Sequence, residues 1–227
     1  MDAEWFFIWL IIAIVIGATI YFIAKNYKKN LINWRLISWK LITAILDWNK
    51  KRVEELLENW TNINIPDKDW SIVLMAAVKK GDIKIIEKLL EYWANVNKKE
   101  RYWGTALIDA SFQGKLEMVE KLLEYWADVN TKDKWWSSAL IKAVIFGNIK
   151  IIEKLLEYWA NVNERERDWL TILIDAVTQN DIKIVEKLLE YWADVNLPTS
   201  LWITALGMAT HKWDTKMVEM LLKYGAR

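Results

Sequence analysis

The 227-residue chain has no cysteine, one histidine, two prolines and seven glycines. Without Cys there are no disulfides, thiolate metal sites or Cys nucleophile, and the lone imidazole, His211, removes most His-based triads and zinc motifs. No metal or other cofactor is expected. Charge of one sign is also missing. The 31 basic side chains stand against 30 acidic ones, which argues against a nucleic-acid partner, whose phosphates need a basic surplus. Glycine is at less than half its usual ~7%. Tryptophan, by contrast, occurs 17 times, and the two together restore an ordinary glycine content.

Charge is absent altogether from Trp5 to Ala24, twenty residues in a row. At about 1.5 Å per residue a helix of that length spans ~30 Å, the hydrocarbon thickness of a bilayer. A cleaved signal peptide would carry a basic segment first, but Asp2 and Glu4 precede the run while Lys25, Lys28 and Lys29 follow it. Positive charge stays inside. The expectation is an extracytoplasmic tail (1–4), a transmembrane helix (5–24), a basic linker (25–34) and a cytoplasmic remainder (35–227), in which acidic and basic residues balance. Within the span, Trp5, Trp9, Ala13 and Gly17 lie four apart. Read as written, the two Trp form an interfacial belt. Read as small residues, they complete a stripe through which two membrane helices pair weakly as a homodimer.

Internal repetition organises the rest. Glu91-Tyr92-Trp93-Ala94-Asn95-Val96-Asn97 returns at 124–130, 157–163 and 190–196, every 33 residues, with a divergent copy at 58–64 and a truncated one at 223–226. Six copies at one period mean an array of stacked units, none able to bury its apolar face alone. Each unit holds two helical patterns. Leu74, Ala77 and Val78 share one face of a short helix. Ile83, Ile86, Leu89 and Leu90 share one face of the next, with Asp82 placed to cap it. A polar stretch such as 96–101 then serves as a turn or hairpin.

A 33-residue helix–turn–helix–loop unit with Thr105-Ala106-Leu107, Thr171-Ile172-Leu173 and Thr204-Ala205-Leu206, followed by segments such as Leu122-Leu123-Glu124-Tyr125-Trp126-Ala127-Asp128-Val129-Asn130, resembles the ankyrin repeat. The resemblance covers about Arg35 to Arg227 and implies an all-α ankyrin-repeat solenoid of about six units with hairpin loops, its first and last units acting as caps. Two features depart from the family. Its usual Pro-Leu-His becomes Ala-Leu-Ile or similar, and its glycines are mostly replaced by Trp.

The replacements fall into three repeat-equivalent classes. These are Trp70, Trp103, Trp136, Trp169 and Trp202; then Trp48, Gly81, Gly114, Gly147, Asn180 and Trp213; then Trp60, Trp93, Trp126, Trp159, Trp192 and Gly225. Gly, Asn and Trp share neither size nor polarity. Gly and Asn share tolerance of positive φ, which a bulky L-residue enters only at ~1–2 kcal/mol. The third class follows a helix end, where a left-handed residue normally satisfies orphan carbonyls. The expectation is that most of these Trp are glycines in the cell. Some bacterial lineages decode as glycine a codon that elsewhere means stop or tryptophan, so translation with the wrong table produces this swap. The alternative is a Trp-rich repeat whose rings pack between units.

Other motifs dissolve on inspection. With Trp read as Gly, Trp34 to Lys40 becomes most of a phosphate-binding loop, but Leu41 stands where the Mg²⁺-binding hydroxyl belongs and no strand precedes it. Rows such as Glu87-Lys88 and Glu120-Lys121 read as solvated faces rather than catalytic pairs. No convergent polar constellation suggests an enzyme.

Ankyrin-like domains generally contact partners through hairpin tips and the ends of the first helices. The residues here that match these places and vary between units include Arg101, Tyr102, Phe112, Gln113, Trp135, Ile145, Phe146, Asp168, Leu201 and His211. Tyr102, Phe112, Trp135, Ile145 and Phe146 fall in the two central units and are too apolar for a merely wet surface. The alternative for Ile145 and Phe146 is packing against a neighbouring helix. The expected function is a membrane-anchored scaffold for a protein partner of unknown identity. The alternative is a secreted or surface-exposed effector acting on another cell.

Overall fold

The computed structural model describes residues 39–58, 64, 72–166 and 169–227. Within them the chain forms helices in pairs. Helix α1 covers 39–46 and α2 Lys50–Glu58; α3 covers Val73–Lys80 and α4 Ile83–Glu91; α5 covers Ala106–Phe112 and α6 Leu116–Glu124. Then come α7 (Ala139–Ile145), α8 (Ile149–Glu157), α9 (Ile172–Gln179), α10 (Ile182–Glu190), α11 (Ala205–His211) and α12 (Thr215–Lys223). Among the described residues no strand forms, and pairing in the connecting loops is reduced to one isolated bridge between Arg165 and Thr171. Among the described loops the turns are tight and closed by main-chain bonds, as where the Glu100 amide donates to the Gly104 carbonyl at 3.0 Å and the Trp103 amide to the Glu100 carbonyl at 2.9 Å.

The odd-numbered helices form an inner row and the even-numbered ones an outer row. Ala44, Ala77, Ala110, Ala143, Ala176 and Ala209 recur every 33 residues along the inner row and are all buried. These small side chains let successive inner helices approach closely. The outer helices present the larger Leu89, Leu122, Leu155, Leu188 and Leu221, each fully enclosed. Inner helices therefore lie closer together than outer ones, and the stack curves with its inner row on the concave side. The expectation of a single apolar face on the first helix needs correcting: Val73 through Val78 are all buried. An inner helix has a neighbour on each side and an outer helix behind it, so little of its circumference reaches water.

Helix starts follow the repeat chemistry. Thr105, Ser138, Thr171 and Thr204 cap α5, α7, α9 and α11 by accepting an amide three residues on, and Asp82, Asp181 and Asp214 cap α4, α10 and α12. At α3 the equivalent residue is Ile72, which has no side chain to cap with.

Helix ends are left-handed. Trp93 has φ 65°; its amide donates to the Leu90 carbonyl at 3.0 Å and the next amide, of Ala94, to the Leu89 carbonyl at 2.9 Å. This is the Schellman pattern, in which the residue after the cap adopts positive φ. All fifteen described members of the three classes (ten Trp, four Gly and Asn180) have positive φ, and no other described residue does. The left-handed indoles lie out in solvent. Trp93, Trp126, Trp159 and Trp192 are each 87% exposed, so these four rings do not pack between units.

The uncharged run 5–24, the phosphate-loop-like segment 34–40 up to Ser38, and Asp168 lie outside the described residues. Among those described, no helix is long and apolar enough to cross a membrane.

Candidate functional site

The site is assembled from two adjacent hairpin turns and the C-terminal ends of two inner helices. At the tips, the Lys134 amide donates to the Tyr102 carbonyl at 3.0 Å, tying one turn to the next. That bond brings the Tyr102 and Trp135 rings to 5.8 Å at a tilt of 41°. The Lys134 ammonium sits 3.6 Å from the Tyr102 centroid and 4.5 Å from that of Trp135, with the Arg101 guanidinium 5.9 Å from Tyr102. Cation–π contacts of this kind are worth about 0.5–1 kcal/mol where exposed. Trp135 has ordinary φ, unlike its neighbour Trp136 at 66°.

At the helix ends, Phe112 and Phe146 meet edge to face with centroids 4.9 Å apart, yet remain 52% and 51% exposed, and Ile145 is 40% exposed. Phe146 thus packs against Phe112 of the neighbouring inner helix and still leaves about half of its surface open to solvent. Gln113 turns back to the previous unit, where its Nε2 donates to the Val78 carbonyl at 3.3 Å. Leu201 and His211 are exposed but belong to the last unit, and His211 borders a hollow with Trp202, Ile203 and Met208. Of the sequence candidates, the structure therefore groups Arg101, Tyr102 and Trp135 at the tips and Phe112 with Phe146 on the helix ends.

Beneath the tips runs a row of carboxylates that sequence reasoning passed over. Lys79 bridges Glu100 at 3.0 Å and Asp109 at 3.8 Å, and Lys142 reaches Asp133 at 3.5 Å. Burial opposes the charge on Lys79, but the hydrogen bond to Glu100 and the charges of Asp109 and Glu100 outweigh it and raise its pKa. Burial pushes the Asp109 carboxyl up to about 6 against the pull of Lys79. Burial, then the hydrogen bond from Ser138 and the charge of Lys132 acting the other way, leave Glu164 raised. In the next unit Asp175 is raised by burial and by the facing carboxylate of Glu166, whose Oε1 is buried without a partner. Among the described residues no cluster of three or more His, Asp or Glu could hold a metal ion.

On the convex side, the Glu and Lys rows pair between units: Lys88 with Glu54 at 2.6 Å, Lys121 with Glu87 at 3.4 Å, Lys187 with Glu153 at 3.1 Å. These exposed pairs each contribute little.

Thirty-three-residue helix pairs, stacked in register with tight turns projecting to one side, define a helical repeat solenoid. A family model for ankyrin repeats (3 copies) matches residues 41–133 and 131–199, and the chain belongs to that family. The crystal structure of the ankyrin repeat domain of Bcl-3, described as a unique member of the IkappaB protein family, superposes with a TM-score of 0.77 at 23% identity, covering 83% of this chain and 86% of that one. That likeness is one of fold. No curated protein sequence matches the chain. Ankyrin repeats are generally protein–protein interaction modules.

Proposed function

We propose that this chain is a membrane-anchored adaptor that holds a protein partner through the concave face of its repeat stack. The observation that carries the reading is the pair of exposed aromatic contacts, Phe112 with Phe146 and Tyr102 with Trp135, on adjacent central units. Paired aromatics beside Arg and Lys are the usual energetic anchors of an interface. The uncharged run from Trp5 to Ala24 with Lys25, Lys28 and Lys29 behind it supports an anchor with the repeats on the cytoplasmic side. The test is crosslinking and affinity capture from native membranes with wild type and the Phe112→Ala/Phe146→Ala variant, with circular dichroism on both. The expected result is loss of partner capture with helicity kept. Unchanged capture overturns the assignment of this face. Extraction by salt alone, without detergent, overturns the anchor, and cleavage of the repeats by protease outside intact cells overturns the orientation in favour of a surface-exposed effector.

We also propose that the ten left-handed tryptophans are glycines in the organism that makes this protein. At ~1–2 kcal/mol for each bulky left-handed residue, ten such sites cost roughly 10–20 kcal/mol, as much as the whole stability of an ordinary domain at ~5–15 kcal/mol. Gly occupies two of the three classes, at Gly81, Gly114 and Gly147 in one and at Gly225 in the other, with the same sign of φ. A Cβ atom at Gly147 or Gly225 would meet no neighbour within 4 Å, so the demand at these two sites is one of backbone, not space. The genomic triplets and the intact mass of protein from native cells test the proposal. A reassigned codon and a mass lighter by one indole-bearing substituent per site are expected. Ordinary tryptophan codons at these sites, with the mass of the written sequence, overturn it.

A further inference from the structure

The chain is almost neutral, yet its charges are not evenly spread. Each central turn carries an acid between two bases: Lys99-Glu100-Arg101, then Lys132-Asp133-Lys134. The two signs separate by burial. Glu100 is 18% exposed and tied to Lys79, and Asp133 is 4% exposed and tied to Lys142. Lys99, Arg101 and Lys134 are exposed. Glu100 and Asp133 therefore face the inner helices, while Lys99, Arg101 and Lys134 reach the exposed rim. Beside that rim, the described residues 106–113 and 139–146 of α5 and α7 with their caps contribute no exposed carboxylate.

Resting on the reading of this face as a partner surface, we propose that its partner is an acidic polypeptide segment carrying a bulky apolar side chain. The carboxylates would pair with Arg101 and Lys134 at the rim, and the apolar side chain would rest against Phe112 and Phe146. Charge complementarity of this kind steers encounter and fixes register, and the paired phenylalanine edges supply the desolvated anchor. The lack of a basic surplus, 31 basic against 30 acidic side chains, argues against a nucleic acid, whose phosphates need one. The concave curvature decides against a flat anionic bilayer, which a receding surface cannot touch along its length. None of the named residues belongs to the left-handed classes, so the surface is the same whichever way those codons are read.

The test selects a random displayed peptide library on the detergent-solubilised full-length chain and measures winners by fluorescence anisotropy. Enriched peptides are expected to be net negative with at least one large apolar residue, and to weaken steeply with salt. They should lose about tenfold or more in affinity on the Arg101→Glu/Lys134→Glu variant, and a comparable factor on Phe112→Ala/Phe146→Ala without a change in salt dependence. Enrichment of neutral or basic peptides, or tighter binding of a single-stranded oligonucleotide than of any acidic peptide, overturns the inference. The two readings separate on native membranes. If Phe112→Ala/Phe146→Ala abolishes capture of the partner and Arg101→Glu/Lys134→Glu leaves it intact, the face stands and its acidic partner falls. If neither variant affects capture, both fall.

Discussion

The side-chain amide of Asn97 donates to the Trp126 carbonyl at 3.1 Å, and its Oδ1 accepts the Asp128 amide at 2.7 Å. One asparagine thus clamps the main chain of the following unit at two points, the carbonyl of the left-handed residue and the amide two residues on. The clamp recurs from Asn64 to Trp93 and Asn95, from Asn130 to Trp159 and Asn161, from Asn163 to Trp192 and Asp194, and from Asn196 to Gly225 and Arg227. Because each unit in a solenoid touches only its neighbours, interface terms like this set the cooperativity of the stack.

Removing one clamp should therefore weaken one interface. Asn130→Ala deletes two neutral hydrogen bonds, each worth about 0.5–1.5 kcal/mol net, and is expected to lower stability by ~1–2 kcal/mol in urea unfolding. Asn163→Ala should match it. An unchanged midpoint for both would mean that water replaces the clamp at no cost.

A second expectation concerns the left-handed turn itself. Trp126 has φ 64° and an indole 87% exposed, so Trp126→Gly gives up little burial and relieves backbone strain. In protein made by a host with the standard code, the substitution should raise stability by about 1 kcal/mol, or roughly 2–4 °C in Tm for a chain of this size. Trp135→Gly, at ordinary φ and in contact with Tyr102 and Lys134, should not stabilise. Equal effects at the two sites would remove the conformational explanation.

These two relationships mark how far the bare sequence goes. The period announces the stack, and Gly, Asn and Trp alternating at one position expose a backbone demand because nothing else unites them. The partner of Asn97 lies 29 residues away; its recurrence is visible in the sequence, its contact is not. Glu100 and Asp133 look solvated when read between two bases, and three residues are too few for an alternating pattern to declare itself. The burial of all of Val73–Val78 likewise depends on neighbours that a single helix does not reveal. Phe112 and Phe146 were recognisable as candidates, but their edge-to-face pairing required the unit offset that only the stack supplies.

The buried carboxylates give the fold a pH dependence. Asp175 titrates up at about 7, raised by burial and by Glu166, and Asp109 at about 6, raised by burial. The folded chain binds these protons more tightly than the unfolded chain does, so each group costs stability above its folded pKa and that cost disappears as pH falls toward ~4. Tm should be higher at about pH 5.5 than at about pH 8. Allowing for partial exposure, the Asp175 share is ~1–2 kcal/mol. Asp175→Asn, which keeps the shape and donates a hydrogen bond to Glu166, should raise Tm at the higher pH and flatten the difference. A Tm that rises with pH in wild type, or an Asp175→Asn profile parallel to it, would show that the pair stays ionised without penalty.

The alanine row sets the spacing on which the concave face depends. Ala110 and Ala143 are fully buried, and Ala176 nearly so, so the inner helices touch almost backbone to backbone. Ala143→Leu places a large side chain at a fully buried position, and overpacking of this kind costs about 1–3 kcal/mol. It should also spread α5, α7 and α9, moving Phe146 away from Phe112 and Trp135 away from Tyr102. The expected outcome is a fall of several degrees in Tm together with weaker capture of the partner, even well below the unfolding transition. A partial loss of Tm with capture unchanged at low temperature would show that the aromatic pairs hold their geometry independently of inner-helix spacing.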